Sequence, residues 1–203
     1  IGLLGVTTAL ATTAVWAQSS VWTAWGRNSA GQFGNGTTTD SSVPVIVPQL
    51  SEMVAVSSGG IFHFVGLKND GTVWAWGPND KYQLGNGTTV PSTVPVPVLG
   101  LTGVFTAVAA GRNSSMALRN DGTVWEWGRY VATNADGFPE ARYRSMAAQV
   151  PGLTGVTAIS SGAAHSMALM QDGTVKAWGV GIFNELGLGP GISFAPDPVN
   201  VPG

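Results

Sequence analysis

The sequence predicts an all-β fold: a partial β-propeller of about four blades, an open arc of four-stranded antiparallel sheets. Three observations carry this. A Trp-Gly pair recurs at Trp25-Gly26, Trp76-Gly77, Trp127-Gly128 and Trp178-Gly179, each 51 residues after the last. An Asp-Gly keeps the same register upstream, at Asp70-Gly71, Asp121-Gly122 and Asp172-Gly173. No stretch of about ten residues or more shows a helical period. A repeat of this length means a solenoid, a propeller or an array.

One period shows how each element arises. Val156-Thr157-Ala158-Ile159 is short and β-branched and reads as a first strand, broken by Gly162. His165-Ser166-Met167-Ala168-Leu169 is the second. Asp172-Gly173 then stands between two apolar runs, the strongest short hairpin signal, and predicts a tight turn with positive φ at both central residues. Val175-Lys176-Ala177-Trp178 is the third strand, closed by Gly179. After a Gly-rich loop comes a segment rich in Pro and Val, clearest at Val43-Pro44-Val45-Ile46-Val47-Pro48 and Val94-Pro95-Val96-Pro97-Val98. Proline cannot donate to a ladder, so this fourth strand belongs on an edge. Strands apolar on both faces, such as Val73-Trp74-Ala75-Trp76, fit blades covered on both sides by neighbours.

Composition narrows the functional classes. The 203 residues carry a net charge of −2 and only 10% are charged, with no basic stripe of the kind a nucleic-acid binder shows. Cysteine is absent, which removes disulfides and thiolate metal sites. No cofactor or metal motif is visible. The 29 glycines fall at fixed repeat positions, which favours turns over disorder.

Residues 1–17 carry no charge and are mostly small or apolar. They read either as an export signal, with cleavage before Gln18, or as degenerate first-blade strands, since Gly5-Val6-Thr7-Thr8-Ala9 echoes Gly155-Val156-Thr157-Ala158. A membrane span needs about 20 apolar residues, so insertion of the mature chain is not expected. Residues 18–203 form the repeat array. The lack of an initiator Met and the stop at Val201-Pro202-Gly203, in the middle of a repeated phrase, read as a piece of a longer array, with self-association through uncovered end blades as a consequence.

The repeated phrases are recognisable. Asp70-Gly71-Thr72-Val73-Trp74-Ala75-Trp76-Gly77, Gly31-Gln32-Phe33-Gly34-Asn35-Gly36-Thr37 and Gly162-Ala163-Ala164-His165-Ser166-Met167-Ala168-Leu169 resemble the regulator of chromosome condensation repeat family. The resemblance implies blades of what is typically a seven-bladed propeller. It implies no single function. Members include a guanine-nucleotide exchange factor that also touches chromatin, secreted enzyme inhibitors, light sensors and adhesion-like proteins. Exchange depends on a rim insertion that no segment here matches residue by residue, and the tryptophans do not follow the Trp–Arg interface motif of the light sensors.

Candidate sites follow from departures from the repeat. His63 and His165 lie two periods apart with Ser114 between them, which favours a structural hydrogen bond to a neighbouring strand over catalysis. The Trp-Gly tryptophans read as packing between blades rather than a stacking platform. After Gly128 the usual Gly-Gln-Leu-Gly phrase gives way to residues 129–144, which hold three of the six arginines and two of the three tyrosines. Tyr and Arg are favoured at binding hot spots, so Arg129, Tyr130, Arg142, Tyr143 and Arg144 are the candidate partner-binding residues. Glu126 stands where the other repeats have Ala75 and Ala177, and Lys176 where they have Trp74 and Trp125, so the two are expected to pair across a blade interface.

The sequence therefore points to a non-enzymatic scaffold, secreted or surface-exposed, that binds another protein. A small-GTPase regulator, an architectural segment of a larger surface protein, and a hydrolase using carboxylates in the central channel are the alternatives. For the last, no pair of acids breaks the repeat: Glu126 stands alone.

Overall fold

A computed structural model describes residues 2–6, 21–59 and 63–202. Among the described residues, fifteen strands form four antiparallel sheets in chain order. The first holds β1 (Gly2–Val6), β2 (Val21–Gly26) and β3 (Ser41–Ile46). The second holds β4 (Met53–Ser58), β5 (Phe64–Lys68), β6 (Val73–Gly77) and β7 (Ser92–Pro97). The third holds β8 (Phe105–Ala110), β9 (Ser114–Arg119), β10 (Val124–Thr133) and β11 (Pro139–Gln149). The fourth holds β12 (Val156–Ser161), β13 (His165–Met170), β14 (Val175–Val180) and β15 (Phe194–Asn200). Neighbours in sequence are neighbours in each sheet, so every blade is a meander with its Pro-rich or fourth strand on an edge. A single 3-10 turn, Pro48–Leu50, is the one helical element among the described residues, and none of them forms a helix long and apolar enough to cross a membrane.

The hydrophobic cores lie between blades. Trp76 packs with Ala24, Phe33 and Leu50 of the first blade region, and Trp127 with Leu84 and Val98 of the second. Trp76 and Trp127 are fully buried and Trp178 nearly so. Each of these indoles therefore looks back toward the preceding blade, and burying one removes on the order of 150–250 Å² from water.

One local expectation is corrected. The Asp-Gly turns have positive φ at Gly71 (80°), Gly122 (80°) and Gly173 (86°), but not at the Asp before them. Gly71 N–H donates to Lys68 O, and Lys68 N–H to Thr72 O, which closes a three-residue loop with glycine alone in the left-handed region. The Asp stays right-handed because its carboxylate accepts from both the backbone N–H and the hydroxyl of the Thr two residues on: Asp70 with Thr72, Asp121 with Thr123, Asp172 with Thr174. At the chain start, Gly2–Val6 pairs antiparallel with β2, Gly2 opposite Trp25. That is the place of a blade's second strand, as Phe64 is opposite Trp76; residues 7–9 of the Gly-Val-Thr-Thr-Ala echo lie outside the described residues. The expected cleavage point before Gln18 lies outside the described residues.

The turn glycines generate a prediction. A Cβ on Gly122 would sit 2.8 Å from the Gly155 backbone N, while one on Gly173 would meet nothing within 4 Å. Gly173→Ala should cost about 1–2 kcal/mol, the left-handed penalty alone. Gly122→Ala should cost clearly more, because backbone at the start of the fourth blade must also shift. Urea unfolding of the two variants side by side measures the difference, and equal midpoints would contradict it.

Candidate functional site

The interface between the second and third blades shows what a repeated junction requires. The turn after β6 is held by Asn79, which is buried. Its side-chain carbonyl accepts from Leu84 N–H, and its amide donates to Asn86 Oδ1, Thr88 O and Val90 O. Gln83 closes the turn by accepting from Lys81 N–H. This leaves the Gln83 backbone carbonyl facing the third blade, where it accepts from the Trp127 indole at 2.8 Å and from Ser115 Oγ at 2.9 Å. Gly85 must be glycine because a Cβ would lie 2.7 Å from the Trp127 ring. The turn after β2 repeats the arrangement: Asn28 holds it, and Gln32 O accepts from the Trp76 indole at 3.0 Å.

His63 joins this staple. Its Nε2 is 2.6 Å from Ser115 Oγ. Ser115 spends its own proton on Gln83, so the hydrogen-bond network assigns the Nε2–H tautomer, with Nε2 donating to Ser115 and Nδ1 left unprotonated. Nδ1 has no partner. Burial lowers the His63 pKa from 6.5 to about 3. The histidine is thus a structural link from the second blade to the third. His165 is only half-buried.

The next interface breaks the pattern on its donating side. Tyr130 stands where Asn79 stood, so nothing holds a compact turn. The segment pairs with itself instead, extending β10 and β11 into a ribbon from Gly128 opposite Arg144 to Thr133 opposite Pro139. The tip is closed by Asn134, which accepts from Asp136 N–H and Phe138 N–H. The segment that departs from the repeated phrase is therefore largely regular β-structure.

The candidate partner-binding residues divide along this ribbon. Arg129, Tyr130 and Arg144 line a cleft of about 290 Å³ between the third and fourth blades, with Ser114, Glu126, Ser166 and Trp178 among the other walls. Arg142 and Tyr143 lie in a shallow open depression with Tyr82, Glu140 and Ser145. Arg142 pairs with Glu140 at 2.9 Å, both half-exposed. Tyr143 and Tyr82 rings sit 6.5 Å apart. The ribbon base is tied to the second blade through Gly87 N–H to Ser145 O and Ala147 N–H to Leu99 O.

The expected Glu126–Lys176 pair does not form. Glu126 does face the following blade, but its partner is Arg144 from its own sheet, with Nη1 donating to Oε2 at 2.9 Å. The Arg144 guanidinium also lies 3.9 Å over the Tyr130 ring. The Trp-bearing face looks back toward the preceding blade, and the expected pair fails on the position along the strand. The residue of β14 that meets Glu126 is Trp178, two residues beyond Lys176. Lys176 belongs to a different exchange. In the second and third blades Lys68 lies over Trp74 and Arg119 over Trp125; in the fourth, Met170 and Lys176 hold those places, so the cation has moved to the third strand.

Burial raises the Glu126 pKa, and Arg144 and the nearby Trp178 indole only partly offset this. The indole N–H is close enough to favour the carboxylate slightly, yet it makes no hydrogen bond of ordinary geometry. Of the counterparts of Trp127 and Ser115, Trp178 was expected only as packing between blades, and Ser166 was not singled out from the sequence. The available signal was the missing Gln in the third repeat.

Two pH dependences follow, with opposite signs. His63 holds its proton less tightly folded than unfolded, so wild-type stability should fall as pH drops from 6.5 toward 3, and His63→Gln should lack that component. Glu126 holds its proton more tightly folded, so its contribution should fall as pH rises from the ordinary glutamate value through its raised one, and Glu126→Gln should remove that fall. Urea midpoints of wild type minus each variant, taken across pH, isolate these components from the other titrating groups; a difference flat with pH would refute either assignment.

The chain matches the profile of the regulator of chromosome condensation (RCC1) repeat over residues 20–65 and 70–118, and a second profile of the same repeat over 53–83 and 156–184. It is 30% identical over 174 residues to the human E3 ubiquitin-protein ligase HERC2, covering 82% of this chain and 4% of that protein. It is 33% identical over 169 residues to mouse regulator of chromosome condensation, covering 81% and 40%. Among solved structures, human WBSCR16 superposes with a TM-score of 0.75 at 21% identity, over 91% of this chain and 49% of that one. Yeast RCC1 (Prp20) bound to Kap60 gives 0.74 at 23%, over 90% and 45%. The chain thus spans less than half the length of these relatives. Repeat profiles over more than half its residues and four blades in propeller order agree: the chain belongs to the regulator of chromosome condensation repeat family.

Proposed function

We propose that this chain is a non-enzymatic scaffold for protein–protein interaction, and that the β10–β11 ribbon is its partner-binding element. The observation that carries the reading is the projection of the ribbon. Phe138 at its tip is 66% exposed and Tyr143 46% exposed, with Arg142 beside them. Aromatic and Arg side chains on a braced β-ribbon lose little freedom on binding, which is what a hot spot needs. Arg144 is not part of this surface, since Glu126 and Tyr130 already engage it; Arg129 and Tyr130 stand at the ribbon's base. Yeast Prp20, a structural neighbour, has reported binding properties to Gsp1p and histones. That supports a binding role for this chain without naming its partner.

Regulation of a small GTPase is the second reading. It rests on the ribbon being a rim projection, the kind of feature that the family resemblance ties to nucleotide exchange. The secreted or surface-exposed setting is also part of the proposal and rests on the uncharged residues 1–17. N-terminal sequencing of the full-length product addresses it: a start at Gln18 supports export, and retention of Gly2–Val6 supports a first-blade strand.

A photo-crosslinking residue placed at Tyr143 in the full-length protein should give a discrete protein adduct in its native cells. The adduct should weaken strongly with Arg142→Glu and persist when the crosslinker is placed at exposed Val54 only if the partner spans the second blade. No adduct at either Tyr143 or Phe138 would overturn the ribbon assignment. Accelerated nucleotide release from a GTPase recovered in that adduct would establish the second reading over a passive scaffold.

A further inference from the structure

We infer that the cleft between the third and fourth blades is a binding site for a tight polypeptide turn that presents a backbone carbonyl and an aliphatic side chain. The chain itself supplies two occupied copies of such a site. At the first-to-second and second-to-third junctions, the position in front of the Trp-Gly indole is filled by a turn of the preceding blade, through Gln32 O and Gln83 O. In the second case the following Leu84 is fully buried among Val98 and Trp127. At the third-to-fourth junction the receiving half persists. Trp178 and Ser166 occupy the places of Trp127 and Ser115, both are at least nine-tenths buried, and Val150 stands in the place of Val98. The donating half is gone, because the segment that would carry it runs out into the ribbon.

Two independent features show that the place is vacated rather than refilled. The Trp178 indole N–H, buried, has no hydrogen-bond partner, whereas its counterparts on Trp76 and Trp127 each have a carbonyl. A cleft of about 290 Å³ lies there, bounded by Ser114, Glu126, Ser166 and Trp178. Ser114 adds to the space, since it replaces the imidazole that His63 supplies one blade earlier. The volume is at the lower end for a small ligand site and suits two or three residues of a turn.

The chemistry selects the class of occupant. The free donor calls for an acceptor. The charges lining the cleft balance, Glu126 and Asp197 against Arg129 and Arg144, so the wall favours neither an anion nor a cation. A neutral amide carbonyl remains, which is the group the two sibling junctions use. Val150 provides the apolar contact for an aliphatic side chain next to it. This site is distinct from the ribbon tip: Tyr143 crosslinking reports the tip, and the cleft is reported by its own indole, so either reading can fail without the other.

The test uses the 203-residue chain and a synthetic peptide with the sequence of residues 79–87, Asn-Asp-Lys-Tyr-Gln-Leu-Gly-Asn-Gly, cyclised to hold the turn. Indole N–H resonances are followed by NMR, that of Trp178 being assigned by its loss in Trp178→Phe. The peptide should shift the Trp178 resonance in a saturable manner. Ser166→Ala should weaken binding roughly three- to tenfold, the equivalent of one hydrogen bond. The same peptide with Asp in place of Leu84 should not bind. Should Trp178→Phe not fold, the resonance is assigned from wild-type contacts and Ser166→Ala carries the test. A shift confined to other indoles, binding indifferent to Ser166→Ala, or no shift at millimolar peptide would each overturn the inference.

Discussion

One hydrogen bond organises this fold: the indole N–H of a Trp-Gly strand donated to a backbone carbonyl in the preceding blade. Blades have no covalent crosslinks here, and each sheet alone exposes two apolar faces. The indole supplies the buried area, and its N–H would cost about 1–3 kcal/mol if left without an acceptor. The acceptor must therefore be delivered to a fixed point across the interface. That requirement reaches back into the turn. Asn79 holds it, Gln83 closes it, and Gly85 lets it approach the ring. The repeated words of the sequence are the parts of this one contact, written in the order in which the chain builds them.

The third repeat shows that the parts are interdependent. With Tyr130 in place of Asn79, the counterparts of two backbone acceptors, one side-chain acceptor and one backbone donor lose the side chain that collected them. Strand pairing is the remaining way to satisfy a backbone of that length, and β10 and β11 lengthen accordingly. The consequence falls on the next blade, where Trp178 loses its carbonyl. Glu126 brings an acceptor into the same region, and Arg144, delivered by the new ribbon, stabilises its charge. Loop, acid and arginine changed as one unit.

This explains what was legible in the sequence. Strand order, the edge position of the Pro-rich strands and the burial of Trp76 and Trp127 follow from a period of 51, because periodic positions meet periodic neighbours. The structural part played by His63 was legible for the same reason. The partner of Glu126 was not. It was sought in another departure from the repeat, Lys176, whereas the residue that meets it is a repeated one, Trp178, whose own partner had vanished. Arg144 sits in a segment with no counterpart in the other repeats, so no register could place it opposite Glu126. The turn geometry at Asp70-Gly71 was misjudged for a local reason: the Thr72 hydroxyl and N–H capture the Asp carboxylate and keep it right-handed.

The buried ion pair has a cost that its surroundings make bearable. Removing two charges from water usually costs several kcal/mol per ion, and mutual attraction repays this only with good geometry and further hydrogen bonding. Glu126 is the more buried partner, its side chain 8% exposed against 25% for Arg144, and its pKa is raised accordingly. Sealed into a dry interface such as that around Trp127, the same carboxylate would protonate rather than ionise. Here the vacated turn leaves a cleft beside it, wide enough for solvent to reach the pair from one side. The loss of the turn thus opened the space beside the pair in which a buried charge is tolerated. An occupant that displaced that solvent would have to leave the Glu126–Arg144 pair intact and satisfy the indole itself, and a neutral carbonyl can do both.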